Sequence, residues 1–274
     1  QLLTNEDPDT STYVARALQG DGVTLHLGTQ AKAFSQTEQG VELTVESEQR
    51  EQSLHADRVL LALGRQANLE GFGLEELGIE QSKTIQVDEF MQTSLPNIYA
   101  CGDVAGPYQF THVASHQAWY ATVNALFGRF KRFRVDYSVI PWVTYTSPQV
   151  ANVGLTEQQA KAQQVDYETT CYDIAELDRA IADGNANGRV KVLTEPGKDT
   201  ILGVNIVGPQ AGELLAEFVL AMKQGIGLNK ILGTIHSYPT LAEANKYAAG
   251  EWKRAHAPEK LLQWVEKLHR WLRS

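Results

Sequence analysis

The sequence predicts a mixed α/β region that is followed by an α+β region with helices on one face of an antiparallel sheet. Over residues 1–135, helices alternate with short apolar strands that end at Gly or Asp. Over residues 137–256, two apolar strands stand close together in the sequence and three helices follow them. The 274 residues are enough for roughly two domains of about 100–200 residues each.

The first region opens with a helix and continues with strands. Residues 8–19 are predicted to be a helix because their apolar side chains repeat at helical spacing and Gly20 follows them. Residues 57–63 are a nearly continuous apolar run, which is typical of a strand buried on both faces of a sheet. Shorter strands are predicted at 23–27, 41–46 and 53–56, the last two as a pair.

The remainder of the first region holds two short strands and a long helix. Strands are predicted at 85–87 and 98–100, and a helix is predicted at 110–127. This helix is expected to turn the following apolar residues inward: Val113, Ala114, Ala118, Ala121, Ala125 and Leu126.

The second region begins with a new pattern at Pro141. Residues 142–146 alternate as a strand does, and residues 190–193 and 201–207 are predicted to be apolar strands. Helices are predicted at 156–164, 212–224, 228–235 and 240–253.

Composition excludes several classes of protein. Hydrophobic residues make up 43% of the chain and charged residues 21%, which is typical of a globular protein and not of a disordered one. The net charge of −9 argues against nucleic-acid binding, because phosphate recognition needs a basic surface. The sequence has no run of about 18 apolar residues that would span a bilayer. Its two cysteines, Cys101 and Cys171, form no closely spaced pair, which favours a reducing, cytoplasmic setting.

The most informative stretch for function is residues 93–103, which read TSLPNIYACGD. A short apolar strand, Ile98–Ala100, is followed by the permissive Gly102 and the carboxylate of Asp103. In an open α/β sheet, ligands bind outside the carboxyl ends of the strands. An Asp at such a position can accept hydrogen bonds from sugar or polyol hydroxyls. An ordinary turn after a strand also favours Asp, so the residue types alone leave both interpretations open.

The whole string T-x-x-x-x-I-Y-A-x-G-D resembles the second flavin-binding fingerprint of the FAD-dependent pyridine nucleotide–disulfide oxidoreductases. This family includes dihydrolipoamide dehydrogenase, glutathione reductase and mercuric reductase. Further segments resemble its markers and occur in its order along residues 1 to about 256: LGRQAN, PWVTYTSPQVANVGLTEQQA, NGRVKVL, ILGVNIVG and HSYPTLAE. The resemblance implies α/β partial nucleotide-binding domains followed by an α+β dimerisation domain.

The resemblance also implies how the chain is divided. Residues 1–67 correspond to the second half of an NAD(P)-binding domain, and residues 68–136 to the C-terminal part of an FAD-binding domain. Residues 137–256 correspond to a dimerisation domain. Residues 257–274 are an additional amphipathic C-terminal helix, which lies outside the resemblance.

The sequence contains neither of the family's two G-x-G-x-x-G fingerprints nor its redox cysteine pair. We therefore expect the chain to be the C-terminal part of a longer enzyme, starting inside the NAD(P)-binding domain, inactive on its own and dimeric. The resemblance implies that the intact enzyme passes electrons from NAD(P)H via FAD to a disulfide, a metal ion or another small-molecule acceptor. The alternative is a non-catalytic dimerisation or interaction module in which the flavin markers are relics.

The resemblance assigns several residues to the flavin. In the family, the Asp of the fingerprint binds the ribityl chain of FAD, and here that residue is Asp103, preceded by Gly102. The start of the following helix faces the flavin pyrimidine ring, where the positive end of the helix dipole stabilises negative charge. Thr111 and His112 lie near this end, and Ala114 matches the small residue packed near the ring. For His112, an exposed or capping role is the alternative.

A second marker is implied to lie on the nicotinamide side. The family usually shows G-R-x-P-N, and this chain has Gly64 and Arg65 with Ala67 in the position of the proline. A Gly followed by an Arg after a strand suits a backbone that approaches a dinucleotide closely. The alternative is that Arg65 is a solvated cap or faces a domain junction.

The third marker carries the acid–base chemistry of the family. There the motif is His-Pro-Thr-x-x-Glu, in which the His is the acid/base for the dithiol and the Glu orients it. Here Tyr238 stands in the position of that His, and Glu243 matches the Glu. Because a Tyr has an ordinary pKa of about 10, it is a poor base but a usable acid or hydrogen-bond donor. His236 is a candidate for the acid/base role, whereas a capping box of Thr240 and Glu243 would give the motif a purely structural role.

The C-terminal segment 259–274 is predicted to be an amphipathic helix with four basic residues beside its apolar stripe. The stripe consists of Leu261, Val265, Leu268 and Leu272, flanked by Trp264 and Trp271. We expect this helix to fold back on the dimerisation domain, because Pro258 supplies a hinge. The alternative is contact with a membrane surface or a partner.

Overall fold

The computed structural model describes residues 1–273, without the side chains of residues 259–261. The chain forms two compact units. One unit is Thr29–Ser138, and the other combines Gln1–Gly28 with Val139–Ser274. Each unit has its own antiparallel β-sheet.

The chain contains both helices and strands, and the predicted fold class is confirmed. The strands are β1 (Gln30–Thr37), β2 (Gly40–Ser47), β3 (Arg50–Ala56), β4 (Pro141–Thr144), β5 (Gln149–Gly154), β6 (Glu168–Asp173), β7 (Arg189–Thr194) and β8 (Ile201–Gly208). The α-helices are α1 (Pro8–Gly20), α2 (Thr111–Phe127), α3 (Glu157–Ala162), α4 (Asp178–Ala182), α5 (Ala211–Lys223), α6 (Leu228–Leu232), α7 (Glu243–Ala255) and α8 (Glu259–Arg273). Among residues 1–273, no helix has both the length and the apolar character needed to cross a membrane.

The unit Thr29–Ser138 contains a three-stranded meander in the order β1-β2-β3. Its second and third strands confirm the strands predicted at 41–46 and 53–56. The sequence pattern did not reveal β1, because its side chains are largely polar and exposed and so show no apolar periodicity. The strand predicted at 23–27 does not form.

The buried strand predicted at 57–63 is wrong. These residues form neither strand nor helix, and the side chains of Leu60 and Leu63 are 89% and 90% exposed. A strand in the middle of a parallel sheet needs a hydrogen-bonded neighbour on each side. Within the described residues the meander ends at Ala56 and no strand pairs with 57–63.

The strands predicted at 85–87 and 98–100 shrink to isolated bridges. Ile85 bridges to Gln81, and Tyr99 bridges to Gln92. Their apolar side chains nevertheless pack together in a small core beneath helix α2. The buried members of this core are Leu74, Ile79, Ile85, Met91, Ala100, Ala105, Ala121 and Val135.

Helix α2 forms where it is predicted, but its buried face differs from the prediction. Ala125 and Leu126 are exposed, although the sequence pattern placed them inward. Val113 and Ala121 are buried as predicted, and the buried face also holds the polar residues Gln117 and Asn124. The two polar residues were missed because apolar periodicity does not register a polar side chain that is buried by hydrogen bonding.

The second unit has a five-stranded antiparallel sheet in the order β4-β5-β8-β7-β6. Alternate side chains of β5, β7 and β8 face helices α5, α6 and α7, which supply the largest apolar core of the described residues. Strands β5 and β6 were not predicted. In β5, Asn152 and Gly154 interrupt the apolar pattern, and in β6 alternate positions are polar and exposed.

Helix α1 packs against the five-stranded sheet. The side chain of Val14 contacts a small buried cluster with Val150 of β5 and Val207 of β8. Thr10 donates a hydrogen bond to the side-chain oxygen of Asn205 at 2.8 Å. The N-terminal helix is therefore fixed to the sheet that the resemblance assigns to the dimerisation domain.

A buried ion cluster reinforces this attachment. The ammonium of Lys191, whose side chain is 1% exposed, lies 2.7 Å from a carboxylate oxygen of Asp7 and 2.8 Å from one of Glu157. It also lies 3.1 Å from a carboxylate oxygen of Asp9, which pairs in addition with Arg189 at 2.6 Å. One buried cation is thus shared by three carboxylates from two separate parts of the chain.

The charges of this cluster stabilise one another. Burial acts to lower the pKa of Lys191, but the hydrogen bonds that its ammonium donates to Asp7 and Glu157 outweigh burial and hold that pKa above its ordinary value. Burial acts to raise the pKa of Asp9, but Arg189 outweighs it and holds that pKa well below its ordinary value. Both groups therefore remain charged over the neutral pH range.

Helix α8 forms over the predicted residues, but the expectation that it packs on the dimerisation domain is wrong. The side chains of Trp264, Trp271 and Leu272 are 60%, 72% and 63% exposed. Helix α7 ends at Ala255, and residues 256–258 separate it from α8.

Candidate functional site

The predicted ribityl contact lies in a tight turn that faces helix α2. The Ala105 N–H donates to the carbonyl of Gly102 at 2.9 Å, which closes the turn around Asp103. Gly102 has a φ of +81°, and a Cβ atom on it would lie 3.3 Å from the Cβ of Ala114. The turn therefore requires glycine, both for its backbone conformation and for its close approach to α2.

Gln117 fixes this turn to the helix. Its buried side chain accepts a hydrogen bond from the Gly102 N–H at 2.6 Å. Its amide nitrogen donates to the carbonyl of Gly106 at 2.8 Å and to the hydroxyl of Tyr137 at 2.7 Å. Gln117 was not predicted to be a site residue, although a Gln on the apolar face of a predicted helix indicates a buried side chain with hydrogen-bond partners.

Asp103 is half-buried at the centre of the turn. Its carboxylate makes no hydrogen bond or ion pair with any residue that the structure describes. A carboxylate that is partly withdrawn from water but has no protein partner is available to accept hydrogen bonds from a ligand.

The start of α2 is open. Phe110 caps the helix without a side-chain hydrogen bond, so the first N–H groups receive no side-chain acceptor from the cap. Thr111 and His112 are exposed at this end, and the rings of Phe110 and His112 stack with centroids 5.3 Å apart. Ala114 is half-buried one turn into the helix.

These features fit the flavin that the fingerprint implies. A Cβ atom at Gly102 would be in tight contact with Ala114, Asp103 has an unpaired carboxylate, and the cap residue of α2 makes no side-chain hydrogen bond. A polyol chain suits the carboxylate, and a ring that carries negative charge suits the helix end.

The second marker lies beside the segment that leads into α2. A guanidinium nitrogen of Arg65 donates to the carbonyl of Gln109, and Gly64 has a φ of +120°. Arg65 also lines a cavity of about 740 Å³, together with Lys83 and Thr84. The two cations and the surrounding polar groups make this cavity suitable for an anionic ligand.

The Tyr238 side chain is held by a carboxylate. Its hydroxyl donates to an Asp178 oxygen at 2.9 Å, and 68% of the residue is exposed. The hydrogen bond to Asp178, together with the negative charge of that group, raises the pKa of Tyr238 above its ordinary value. The phenol therefore keeps its proton at neutral pH and acts as a donor and not as a base.

Tyr238 and Glu243 line one cavity of about 330 Å³, together with Tyr172 and Tyr247. Glu243 is buried and accepts hydrogen bonds from the Tyr247 hydroxyl at 3.3 Å and the Thr240 N–H at 3.2 Å. Burial and nearby carboxylates raise the pKa of Tyr172 to about 12. The structure thus brings two of the three predicted catalytic residues together among protonated phenols.

The capping box proposed for Thr240 and Glu243 is only half formed. The Glu243 carboxylate accepts from the Thr240 N–H, but the Thr240 hydroxyl donates to the carbonyl of Ser237 at 2.7 Å. Helix α7 begins at Glu243, with Ala242 as its cap. Glu243 is consequently the first residue of α7 and not its third.

His236 has different neighbours. Its Nε2 lies 2.9 Å from a Glu217 carboxylate oxygen, and its Nδ1 lies 3.1 Å from the carbonyl of Thr234. Asn245 donates to the other oxygen of Glu217 at 2.9 Å. Both ring nitrogens therefore face protein acceptors, and neither hydrogen bond reaches Tyr238 or Glu243.

Comparison with protein families gives two matches along the chain. Residues 1–118 match the family described as pyridine nucleotide-disulphide oxidoreductase. Residues 140–249 match the dimerisation domain of the same family. The two matches occur in the order that the sequence markers predicted.

Curated relatives agree with these matches. A dihydrolipoyl dehydrogenase from Thermus scotoductus is 36% identical over 253 residues, covering 91% of this chain and 54% of the relative. A mercuric reductase from Streptomyces lividans is 31% identical over 251 residues, covering 91% of this chain and 52% of the relative. The chain spans about half the length of the curated relatives it matches.

Two solved structures extend the comparison to the fold. A Cu(II) complex of the HOCl-induced flavoprotein disulfide reductase RclA from Escherichia coli is 26% identical, with a TM-score of 0.81 over 90% of this chain and 56% of that one. LpdA from Mycobacterium tuberculosis is 26% identical, with a TM-score of 0.79 over 89% of this chain and 52% of that one.

Proposed function

We propose that this chain, which belongs to the pyridine nucleotide-disulphide oxidoreductase family, is part of an FAD-dependent enzyme that passes electrons from NAD(P)H to an acceptor. The observation that carries the proposal is the turn at Asp103. Its unpaired carboxylate, its obligatory glycine and the open end of α2 supply the contacts expected for a flavin.

The bound FAD supplies the redox chemistry, accepting a hydride from the nicotinamide and returning electrons to the acceptor. The residues of this chain have binding and positioning roles. Asp103 accepts hydrogen bonds from the ribityl hydroxyls, and Gln117 holds the turn that presents Asp103. Thr111, His112 and Ala114 mark the helix end beside the ring. Gly64 and Arg65 are proposed to hold the nicotinamide side of the site.

The acceptor is proposed to be a small molecule that needs a proton donor at Tyr238. The hydrogen bond to Asp178 keeps the Tyr238 phenol protonated, so the group can donate a proton or a hydrogen bond but is a poor base for a dithiol. Glu243 lines the same cavity and accepts a hydrogen bond from the Tyr247 hydroxyl. This favours an acceptor that takes up a proton as it is reduced over a substrate that requires a catalytic base.

The enzyme is proposed to be a homodimer in the cytoplasm. The match to the family's dimerisation domain over residues 140–249 supports the dimer. The two unpaired cysteines, Cys101 and Cys171, support a reducing compartment. A monomer in sedimentation equilibrium at micromolar concentration would contradict the dimer, and secretion of the protein in its producing cells would contradict the compartment.

The flavin contact can be tested by Asp103→Ala in the whole protein. Removing one hydrogen bond to a charged group lowers binding free energy by about 1.5–3 kcal/mol, which corresponds to roughly 10–150-fold in affinity. We expect the variant to lose FAD on dialysis, measured by the flavin absorbance of the retained protein.

Asp57→Ala serves as the matched control, because Asp57 is exposed and its carboxylate carries no predicted role. The control should retain FAD as the unmodified protein does. Equal flavin retention by the Asp103 variant and the control would reject the assignment of Asp103. A whole protein that never binds FAD would instead support the dimerisation module.

A further inference from the structure

Helix α8 separates apolar and charged side chains more clearly than any other part of the chain, and no step proposed above uses it. Its residues Trp264, Val265, Leu268, Trp271 and Leu272 recur at helical spacings of three and four, which places them on one side. The three largest exposed residues of this side are 60–72% accessible. An apolar face of this kind requires a partner surface.

The remaining side of α8 has an excess of basic over acidic residues and is called its basic side. Residues 259–273 contain four Lys or Arg and two Glu, whereas the whole chain has a net charge of −9. One of the two acidic residues, Glu266, is paired with Arg270 on the helix itself. Positive charge is therefore concentrated on this helix within an otherwise acidic protein.

The tryptophans lie at the border between the two sides. Lys267 is three residues after Trp264 and four residues before Trp271, so it is a surface neighbour of both. Amphipathic rings next to basic side chains are typical of helices in the interfacial layer of a membrane, where the indole sits at headgroup level.

We propose that α8 lies in the plane of an anionic lipid surface, with its apolar side among the acyl chains and its basic side toward the phosphate headgroups. At 1.5 Å per residue, its 15 residues extend about 22 Å, which is shorter than the ~30 Å apolar thickness of a bilayer. The helix therefore rests on the membrane and does not span it. The acidic remainder of the protein is repelled by an anionic surface. Attraction to anionic lipid therefore depends on the basic residues of α8.

A second copy of the chain is the competing occupant, since the apolar side of α8 could be covered in a dimer. Vesicle binding and oligomeric state are therefore measured together on the full chain. Phosphatidylcholine vesicles with and without phosphatidylglycerol are sedimented with the protein, and tryptophan emission is recorded. We expect binding only to the vesicles with phosphatidylglycerol, a blue shift in emission and weaker binding at high salt.

Two double variants test the two sides of the helix. Lys267→Glu with Arg273→Glu should weaken binding at least about tenfold, because each basic residue adds to the attraction of an anionic surface. Trp264→Ala with Trp271→Ala should weaken it similarly and remove the blue shift. The matched controls are Arg129→Glu with Lys131→Glu, and Leu126→Ala with Phe127→Ala, which change exposed residues far from α8 in sequence. Both controls should bind as the unmodified chain does.

The proposal is overturned if the unmodified chain does not sediment with phosphatidylglycerol vesicles, or binds both kinds of vesicle equally. It is also overturned if the α8 variants bind as tightly as their controls. A change in oligomeric state in the tryptophan variant, without vesicle binding by the unmodified chain, would show that α8 is a contact between copies.

Discussion

At the residue scale, the difference from the family's motif that most affects function is Tyr238, which stands in the position of the family's catalytic histidine. The hydrogen bond to Asp178 and the charge of that group raise the pKa of Tyr238, so its phenol is protonated at neutral pH. His236, two residues earlier, contacts Glu217 through Nε2 and the Thr234 carbonyl through Nδ1, and neither contact reaches Tyr238. We therefore infer that this site donates protons and does not accept them.

This inference predicts the behaviour of two variants of the whole protein. Tyr238→Phe should slow reduction of the acceptor by roughly 10²-fold or more, the usual contribution of a general acid, while NAD(P)H still reduces the flavin. Tyr238→His should not confer dihydrolipoamide oxidation. Steady-state and rapid-reaction kinetics separate the two half-reactions, and Tyr145→Phe, at an exposed tyrosine elsewhere, is the control.

A large gain of dihydrolipoamide activity in Tyr238→His would contradict the proposed role of Tyr238. It would show that the rest of the site supports a catalytic base at position 238.

Buried polar residues were the hardest to predict from the sequence. Asp103 and Gly102 could be recognised because the chemistry of a strand end and a resemblance both pointed to them. Gln117 and Asn124 were missed, although Asn124 makes hydrogen bonds to the backbone of Phe90 and Phe133. Their burial depends on backbone groups 9–34 residues away, which a helical pattern does not contain.

At the element scale, the ion cluster around Lys191 decides where α1 lies. Asp7 precedes α1, and its carboxylate also accepts hydrogen bonds from the N–H groups of Glu157 and Gln158 at the start of α3. The same carboxylate thus joins α1, α3 and β7. Removing one partner of such a buried cluster leaves an uncompensated charge, which is strongly destabilising.

We therefore predict that Lys191→Met lowers the free energy of unfolding by about 3–5 kcal/mol, the usual loss when a buried ion pair is broken on one side. Urea denaturation of the chain measures the change. Lys198→Met is the matched control, because Lys198 is an exposed lysine paired with Glu195, and the free energy of unfolding should change little.

The pH dependence of stability gives a second readout of the cluster. Because the pKa of Asp9 is lowered on folding, its contribution is present above about pH 3.9, the ordinary pKa of an Asp, and is lost as the pH falls toward the lower folded value. Because the pKa of Lys191 is raised, its contribution is present below about pH 10.4 and is lost as the pH rises through the folded value. Two results together would contradict the account. Lys191→Met would lose no more stability than the control, and its stability would fall at alkaline pH in the same way as that of the unmodified chain.

Secondary structure could be predicted where local pattern and packing agree. The apolar strands β7 and β8 and the helices α1, α2, α5 and α7 carry a clear periodicity, and the structure confirms them. The run 57–63 carries an equally clear strand pattern but has no neighbouring strand among the described residues. Strand formation depends on partners as well as propensity, so a sequence pattern alone could not reveal this difference.

At the scale of the whole molecule, the order of the markers predicted both the family and the fold class. The position of α1 could not be predicted, because contacts of Asp7 and Thr10 with Lys191 and Asn205 join residues more than 180 positions apart. The exposure of α8 was likewise unexpected, since an amphipathic pattern shows that a helix has an apolar side but not what covers it.

The central claim is that this chain contributes to a flavoenzyme that is reduced by NAD(P)H. Anaerobic titration of the whole purified protein with NADH and with NADPH, followed by flavin absorbance, tests it most directly. The account predicts a yellow protein whose flavin absorbance is bleached by at least one of the two nucleotides. A protein that contains no flavin, or whose bound flavin is not bleached by either nucleotide, would contradict it.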